Sequence, residues 1–569
     1  MNDMKLVITS RTDGFGSRML SFLNVMYIAN KINVNFGFVW KKRFYGENEV
    51  FVDCEENIFS KDYIKKHSFT NKIDESLEVD FFPVNDFNDF NDFKRKYKEY
   101  IYFYYNIPDV LDSKHIKKID LIDYQNAIPE LWNSIDFSEE YKRIISEANL
   151  YSKSIGKYIS FQLRSGDAVY SDNLRENISP IRKSRFSPVE LVLYKIIQIK
   201  NENPEYNILL VSEDLDAISV IQRRLKDENI DIYIISQFNS HIVDPMQKTL
   251  FDLIMLSKSK IMYSPSRSVY GLLASVLGGA RLDSFLDKDD SSQYDVMNKY
   301  IKSFYVNDLQ KALSYFYLYN LAEKLGKSDE LKILYLESAL SFDKYNCAYI
   351  ILLTYLYIKN NQYEKANQII KLILEIKHDR FFKVLFNKEF EKYLLNRELE
   401  YFLNIKADMY PYLCYLASKV CSEKGFLLRS YLYAFLSYKH GWMDKNIKHF
   451  FSNIKNMDVK NLIFDNKYCA EFRIKNHLSY LIGQELINSY KKRQYIYLYP
   501  KIFKIYIKYL CNRTNENSVS LSDCIDYESS KSIMECFTYR LGKEFIYATK
   551  NWYKGGYVIF LIRLKKGKI

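Results

Sequence analysis

The chain has 569 residues and a net charge of +12, with 48% hydrophobic and 27% charged residues. This length exceeds what one hydrophobic core serves, and the composition excludes a disordered or membrane-embedded chain, so we expect a soluble protein of two to four domains. The basic balance fits nucleic acid, an anionic membrane surface or phosphorylated small molecules as partners, without choosing among them.

The expected compartment follows from what the sequence lacks. A strand-like run at 5–9 leaves no room for a signal peptide, and no apolar run reaches the length of about 18 residues that a membrane span needs. The eight cysteines are scattered without a Cys-x-x-Cys pair, which disfavours a zinc site or a disulfide framework. We therefore predict a cytoplasmic protein, either free or peripheral at the inner face of the cytoplasmic membrane.

The N-terminal segment 1–40 predicts the opening of a nucleotide-binding α/β half. The predicted elements are a strand at 6–8, a turn at 11–18, a helix at 19–32 and a strand at 36–40. The turn contains Gly14 and Gly16, which either contact a ligand or serve only the tight turn between strand and helix. From the residues alone, both interpretations stay open.

Residues 41–135 are irregular and rich in aromatic side chains, with fragments of helix. The tandem Asn-Asp-Phe triplets at 85–93 form an acidic string. A polar surface loop or a helix start explains this string better than a calcium site, because nothing nearby supplies the remaining oxygen ligands.

From about residue 137 to 282, strands and helices alternate. Helices are predicted near 138–154, 188–201, 215–227 and 244–257 and from 268 onwards, and strands at 158–163, 206–212, 230–235 and 260–263. Repeated strand–helix units predict a parallel sheet with right-handed crossovers. We therefore expect a second α/β half, with ligand bound between the two.

Beyond about residue 300 the pattern is wholly helical. Apolar spacing predicts a helix–turn–helix pair over 347–380, with the turn at 360–362. This pair resembles a tetratricopeptide repeat, and Ala339 and Ile373 lie one such period apart along the chain. The usual role of these repeats is protein contact or scaffolding.

The tail contains a second internal repeat. Residues 480–485 and 539–544 are similar to each other, and each is followed by a basic cluster and an aromatic-aliphatic run. Residues 491–510 include six basic residues and no acidic one. Such a composition suits an anionic membrane interface, and a solvated face on packed helices is the alternative.

The predicted fold class is α/β followed by all-α, with two Rossmann-like halves and a helical repeat region. The predicted domains are an N-terminal α/β half (1–135), a C-terminal α/β half (136–300), tetratricopeptide-like repeats (301–400) and a basic, aromatic-rich helical region (401–569).

Three polar segments fall at predicted carboxyl ends of strands, where open α/β sheets bind ligands. They are the turn at 14–18, the turn at 164–167 and the hydroxyl-rich loop at 264–271. Arg164, beside a glycine and a carboxylate, suits phosphate capture. The serines of the third segment either cradle phosphate at a helix start or cap that helix.

These segments, taken with Ser212-Glu213-Asp214 and Asp252-Leu253, resemble the motifs of the fucosyltransferase superfamily with the GT-B fold. That superfamily includes bacterial and plant α-1,2-fucosyltransferases, the nodulation α-1,6-fucosyltransferase and protein O-fucosyltransferases. The counterparts here are Gly14-Phe15-Gly16-Ser17-Arg18, Gln162-Leu163-Arg164-Ser165-Gly166-Asp167 and Ser264-Pro265-Ser266-Arg267-Ser268-Val269-Tyr270-Gly271. Order and spacing agree over about residues 5–280.

The resemblance implies inverting transfer of a sugar from a GDP-sugar, without a metal or another cofactor, to a glycan or bacterial surface-polysaccharide acceptor. By matched position, Arg164 holds the donor diphosphate, with Asp13 and Asp167 as further catalytic candidates. The implied donor-binding residues are Gly14, Gly16, Arg18, Gln162, Gly166, Glu213, Asp214, Ser264, Ser266, Arg267 and Ser268. Asp13 is the first candidate for the base, followed by Asp167 and Glu213. Fixed positive charge can replace the metal cation that other transferases use to stabilise the leaving diphosphate.

Departures from the family pattern leave alternatives open. Gln162 stands where the family usually has His, and Val269 and Tyr270 replace two tryptophans, so the donor could carry another sugar or a non-sugar group. A non-catalytic helical-repeat scaffold is the remaining alternative. Residues 301–569 are expected to contact an anionic membrane surface or polysaccharide-assembly proteins. Nucleic acid is not expected, since no recognised binding module is present.

Overall fold

The structure is a computed structural model. It describes residues 6–45, 49–72, 87–96, 102–176, 186–265, 268–286, 289–387, 396–405, 409–441, 447–449, 470–494, 497–511, 521, 524 and 527–567. The chain divides into two compact units, Met1–Lys344 (unit 1) and Tyr345–Ile569 (unit 2).

The first part of unit 1 contains a small parallel sheet and a hairpin. Its strands are β1 (Leu6–Thr9), β2 (Asn35–Phe38), the hairpin strands β3 (Arg43–Tyr45) and β4 (Glu49–Val52), and β5 (Tyr102–Tyr104). Its helices are α1 (Phe15–Ile32), α2 (Glu55–Ile58), α3 (Lys61–His67), α4 (Phe90–Lys96) and α5 (Leu121–Asn133). The sheet has the order β2-β1-β5 with both pairings parallel. The strand, helix and strand predicted over 1–40 are confirmed, but α1 begins at Phe15 and takes up half of the predicted turn.

The second part of unit 1 contains a five-stranded sheet. Its strands are β6 (Tyr158–Gln162), β7 (Asn207–Val211), β8 (Tyr233–Ile234), β9 (Ile261–Ser264) and β10 (Arg281–Ser284). Its helices are α6 (Glu139–Ile155), α7 (Gly166–Tyr170), α8 (Asp172–Arg175), α9 (Val189–Glu202), α10 (Leu215–Asp227), α11 (Ser236–Asn239), α12 (Pro245–Ser257) and α13 (Val269–Gly278). The order is β10-β9-β6-β7-β8, with all pairings parallel, as the strand–helix alternation predicted.

The two sheets of unit 1 share one apolar core. Helix α1 is buried along most of its length and packs on α5 and α13, so a helix of the first part is joined to a helix of the second. Helices α14 (Asp290–Tyr300), α15 (Asp308–Lys324) and α16 (Asp329–Phe342) complete the unit, with α14 against α9 and α15 against α7. The predicted boundary at residue 300 therefore has no counterpart in the contacts, and the four domain limits stay a prediction.

Unit 2 is helical in its described parts. Its helices are α17 (Cys347–Lys359), α18 (Tyr363–Leu385), α19 (Asn396–Leu403), α20 (Pro411–Glu423), α21 (Leu427–Gly441), α22 (Ala470–Lys475), α23 (Leu478–Lys491), α24 (Leu498–Cys511), α25 (Tyr527–Glu535), α26 (Phe537–Lys550) and α27 (Gly556–Lys565). The predicted helix–turn–helix pair is confirmed as α17 and α18, and Asn361 in the turn adopts a positive φ of 57°. Its likeness to a tetratricopeptide repeat stays a prediction.

The internal repeat of the tail corresponds to two matching helices. Helices α23 and α26 each have 14 residues, and they begin and end at equivalent positions of the repeat. A Cβ added at Gly483 would lie 1.8 Å from the Thr538 carbonyl oxygen, and one at Gly542 would lie 1.7 Å from the Ser479 carbonyl oxygen. The repeated glycines thus face each other's helix reciprocally, in a contact that excludes any side chain.

No helix among those described in either unit is both long and apolar enough to cross a membrane.

Candidate functional site

The carboxyl ends of β6 and β9 are neighbours at the point where the five-stranded sheet reverses its order. The chain runs outward from β6 through β7 to β8 and then returns to β9 on the other side of β6. In open α/β sheets, the crevice at such a reversal is where ligands bind. Residues 163–166 follow β6, and the described residues Pro265 and Ser268 follow β9, so the described parts of two of the three predicted polar segments border this crevice.

Arg164 is held at the crevice through its main chain. Its N–H donates to Ser187 Oγ at 2.8 Å, and its carbonyl oxygen accepts from the Ser187 N–H at 2.9 Å. Ser187 is fully buried, while the Arg164 side chain is only partly buried. This two-way link fixes the backbone from which the guanidinium projects.

Two polar atoms beside Arg164 are buried without a hydrogen-bond partner among the described residues: Gln162 Oε1 and Ser165 Oγ. The Ser165 side chain is 1% exposed. A buried polar group left unpaired costs about 1–3 kcal/mol, and such groups are rare in folded proteins. Other described side chains carry such atoms too, but these two belong to residues only three apart in the chain at the carboxyl end of β6, where a polar ligand would complete the hydrogen bonding.

The N-termini of two helices meet at this edge. A Cβ added at Gly16, in the first turn of α1, would lie 2.9 Å from the Cα of Tyr270, in the first turn of α13. The residues before these helices, Gly14 and Ser268, make no side-chain cap. Uncapped N–H groups of the first turn favour an anion. Gly16 permits this close helix contact, whereas its predicted ligand contact stays a prediction.

The start of α1 also carries a cluster of arginines around Asp13. Arg11 forms a bidentate ion pair with both Asp13 carboxylate oxygens. Arg18 is 2% exposed, and its guanidinium donates to the carbonyl oxygens of Thr12, Asp13 and Lys41. Burial lowers the pKa of Arg18 to about 10, an effect that the charge of Asp13 opposes.

In the structure, Arg18 and Asp13 both make contacts within the protein: Arg18 with main-chain carbonyl oxygens and Asp13 with Arg11. Arg18 holds the loop before α1 in shape, and its predicted donor contact would require these main-chain hydrogen bonds to break. Arg43 also donates to the Thr12 carbonyl oxygen, at 3.0 Å. With three arginines against one aspartate, the end of β1 carries net positive charge.

Asp214 is buried, and its carboxylate is hydrogen-bonded within the protein. It is 3% exposed, and its carboxylate caps α10 through the Ala217 N–H at 3.0 Å and accepts hydrogen bonds from Tyr170 and Gln310. These contacts tie α7 and α15 to the end of β7. The structure gives Asp214 a structural role, and its predicted part in reading the nucleoside stays a prediction.

Two carboxyl groups lie beside the crevice. A Cβ added at Gly166 would lie 3.0 Å from Glu213 Oε2, which places the Glu213 carboxylate over the start of α7. Asp252, on α12, accepts a hydrogen bond of 2.8 Å from Asn239 Nδ2. Burial, together with the charge of Glu213, raises the pKa of Asp252 to about 8. A carboxyl group with that pKa is mostly protonated at neutral pH.

The remaining predicted residues are placed as follows. Ser264 is fully buried at the end of β9, and its carbonyl oxygen accepts from the Phe285 N–H. Asp167 lies in α7. Ser266 and Arg267 lie outside the described residues. The acidic string predicted at 85–93 falls partly outside them too, and α4 begins within its described part.

From the sequence, no role was predicted for several residues that shape the site: Arg11, Arg43, Asn106, Ser187 and Asp252. Asn106 follows β5 and accepts from the Ser10 N–H at 2.7 Å, which joins the ends of β1 and β5. No sequence motif marks Asn106 or Ser187, because each acts by a contact distant along the chain. Asp252 was quoted as part of a motif, but its role depends on burial that spacing does not reveal.

Comparison with known proteins finds one family model and a group of solved structures. Residues 422–568 match a family model described as a domain of unknown function (DUF8374). No curated protein matches the chain.

Among solved structures, POFUT1 in complex with GDP-fucose is 12% identical, with a TM-score of 0.31, over 49% of this chain and 98% of that one. The fucosyltransferase NodZ from Bradyrhizobium is 12% identical, with a TM-score of 0.30, over 48% of this chain and 93% of that one. NodZ α-1,6-fucosyltransferase soaked with GDP-fucose is 13% identical, with a TM-score of 0.31. Likenesses of this size assign neither a family nor an activity to the chain.

Proposed function

We propose that the chain is a glycosyltransferase of the GT-B type that moves fucose or a related sugar from a GDP-sugar donor to a glycan or bacterial surface-polysaccharide acceptor. The observation that carries this proposal is the crevice between β6 and β9, where Arg164 adjoins the buried Ser165 hydroxyl, which has no hydrogen-bond partner among the described residues. The order of the four motifs along residues 5–280 supports the choice of a GDP-sugar.

In this proposal the donor diphosphate lies at the end of β6. Arg164 neutralises the phosphates, and the uncapped N–H groups of α13 and the Ser165 hydroxyl donate to their oxygens. The charge of these groups is fixed in place before the reaction, so they stabilise the diphosphate as negative charge builds up on it.

The chemical step is a single displacement with inversion. The acceptor hydroxyl oxygen forms a bond to the anomeric carbon while the bond from that carbon to the phosphate oxygen breaks, and the electron pair leaves with GDP. The acceptor proton passes to a carboxylate. The candidates for this carboxylate, the catalytic base, are Asp13, Asp167 and Glu213. Asp13 must then exchange part of its ion pair with Arg11 for the acceptor.

Titration calorimetry with GDP tests the nucleotide site. We expect micromolar affinity for the wild type, and a loss of at least about 100-fold in Arg164→Ala, since a charge-assisted bidentate contact is removed. Arg224→Ala is the matched control, because Arg224 is an exposed arginine on α10 whose ion pairs are with Asp227 and Glu228. Unchanged GDP binding in Arg164→Ala would refute the site.

Turnover separates the proposal from its alternatives. The wild type should release fucose or another sugar from its GDP derivative, and Arg164→Ala should not. Binding of GDP without release of sugar from any GDP-sugar would favour transfer of a non-sugar group. Absence of nucleotide binding would favour a non-catalytic scaffold.

A further inference from the structure

Helix α24 in unit 2 has an exposed apolar face. Its side chains are 43% to 65% exposed and lie at intervals of three, four or seven residues, so they share one side of the helix. They are Tyr499, Phe503, Tyr506, Ile507 and Leu510. Two other side chains of the helix, Ile502 and Ile505, pack it into the unit, because they contact the core formed by α23 and α26.

Helix α27 repeats this arrangement. Its Phe560 is buried against α26, and its outward side chains are 38% to 62% exposed. They are Val558, Ile559, Leu561, Ile562 and Leu564. The turn before α27 adds Trp552 and Tyr553, which are 69% and 65% exposed. Tyr499 interacts with Tyr557, so the two helices begin side by side. We call the exposed side chains of the two helices and of this turn the α24–α27 surface.

Matched contacts anchor the two helices in the same way. Glu485 on α23 pairs with Lys501 on α24 at 3.2 Å, and Glu544, which occupies the equivalent repeat position on α26, pairs with Arg563 on α27 at 2.8 Å. The repeat thus supports each helix from its buried side and leaves two apolar faces outward. Packing within the unit explains the apolar side chains on the buried sides of α24 and α27. It does not explain those on their exposed sides.

The charge around the α24–α27 surface is one-sided. Residues 491–510 have six basic and no acidic residues, and residues 540–569 have eight basic and one acidic. That acidic residue, Glu544, is already paired with Arg563. Aliphatic side chains with tyrosine and tryptophan, in segments of the chain rich in lysine and arginine, fit the boundary between lipid headgroups and acyl chains.

We propose that the α24–α27 surface docks unit 2 on an anionic lipid bilayer, with α24 and α27 lying in the interface. A second copy of the chain is disfavoured as the occupant, because a two-fold contact would bring the same basic surface against itself. Nucleic acid is disfavoured because it would leave the isoleucine, valine and leucine side chains in water. The inference does not depend on the proposed enzymatic function.

Flotation of the full-length protein with vesicles tests the proposal. We expect binding to phosphatidylcholine:phosphatidylglycerol vesicles (7:3) and little to phosphatidylcholine alone. Two double variants remove apolar side chains: Phe503→Ser together with Ile507→Ser on α24, and Val558→Ser together with Leu561→Ser on α27. Each should weaken vesicle binding at least about tenfold, since two inserted apolar side chains are lost. Lys504→Gln with Lys508→Gln should weaken it by about fivefold per lysine, and about 0.5 M salt should act in the same direction.

Two control variants match these changes elsewhere on the chain. Leu372→Ser with Ile376→Ser removes two apolar side chains of similar exposure from α18, and Lys65→Gln with Lys66→Gln removes two exposed charges from α3. Both should bind vesicles as the wild type does. Circular dichroism of every variant checks that the helices remain.

Three results would overturn the proposal. The first is equal binding of the α24 or α27 variants and the wild type to anionic vesicles. The second is self-association of the wild type, measured by sedimentation velocity, that the apolar variants abolish while vesicle binding is absent. The third is tight binding of a single-stranded oligonucleotide together with absent vesicle binding.

Discussion

The crevice of unit 1 and the α24–α27 surface of unit 2 leave opposite kinds of groups unsatisfied. At the crevice, Gln162 Oε1 and Ser165 Oγ are polar atoms buried without partners among the described residues. On the α24–α27 surface, apolar side chains such as Phe503 and Leu561 are 65% and 61% exposed. The first pattern fits a small polar ligand, which supplies hydrogen bonds, and the second fits an extended apolar phase, which removes surface from water.

The two regions also use glycine differently. Gly16 allows two helix N-termini to meet beside the crevice, where Gly14 and Ser268 make no side-chain cap. Gly483 and Gly542 let two helices cross so closely that no group remains available between them. The contact at Gly16 shapes the crevice of unit 1. The contact at Gly483 and Gly542 makes a rigid support for α24 and α27.

The largest effect is expected at the crossing of α23 and α26. Gly483→Ala places a Cβ against the Thr538 carbonyl oxygen, which is backbone and cannot turn away, so unit 2 should lose about 3 kcal/mol. Native-state hydrogen exchange of peptides from 470–567 measures this loss, and GDP binding should stay as in the wild type.

Gly555→Ala is the matched control in the same unit. Gly555 has a φ of 76° with nothing within 4 Å of an added Cβ, so only the backbone conformation is penalised, by about 1 kcal/mol. Equal destabilisation by the two substitutions would contradict the close crossing.

A smaller effect is expected for Asp252→Asn in unit 1. Because the pKa of Asp252 is about 8 in the folded chain and about 4 in an unfolded one, the folded state holds a proton that the unfolded state has lost between these values. The free energy of unfolding should therefore fall as the pH rises from about 4 to about 8.

Asp252→Asn should reduce this fall, on the order of 2 kcal/mol, while its side-chain oxygen still accepts from Asn239. Urea unfolding at pH 5 and pH 8 measures the difference, with Glu213 and Lys248 as the charges nearest to the group. If the variant kept the full pH dependence of the wild type, the assignment to Asp252 would be wrong.

Of these changes, Ser165→Ala is expected to cost the least stability. It should nevertheless lower the affinity for GDP. Since Ser165 Oγ is buried and has no partner among the described residues, its removal relieves an unpaired polar group and should not lower the free energy of unfolding. Affinity for GDP should fall about tenfold, because one hydrogen bond to a charged group is lost.

Ser187→Ala is the contrasting change. It leaves the Arg164 N–H unpaired and should cost about 1–2 kcal/mol of stability. A stability loss in Ser165→Ala as large as that in Ser187→Ala would show that the Ser165 hydroxyl already has a partner.

The elements that sequence reasoning predicted well are those with a local cause. Helix α10 has the predicted bounds because Asp214 caps its start and apolar residues recur at helical spacing. The strand predicted at 230–235 is reduced to Tyr233–Ile234 at the edge of the sheet, where only one neighbour supplies hydrogen bonds. Strand β10 was missed, because its polar sequence Arg-Leu-Asp-Ser lacks an apolar run.

The candidate site was predictable in location but not in detail. Strand ends with Arg164 and the serines after β9 marked the edge, since parallel strands bring their carboxyl ends together. The burial of Arg18 and Asp214 could not be read from the sequence, because contacts with residues far along the chain, such as Lys41 and Gln310, cause it. The repeat at 480–485 and 539–544 was visible, but that its glycines contact each other was not.

Hydrogen–deuterium exchange with and without GDP tests most directly the claim that nucleotide binds where β6 and β9 end. We expect slower exchange on adding GDP in peptides covering 163–166 and 268–272, with no change in 470–567. Protection confined to another place, such as the cleft of about 970 Å³ between α5, α13 and β10, or to unit 2, would contradict it.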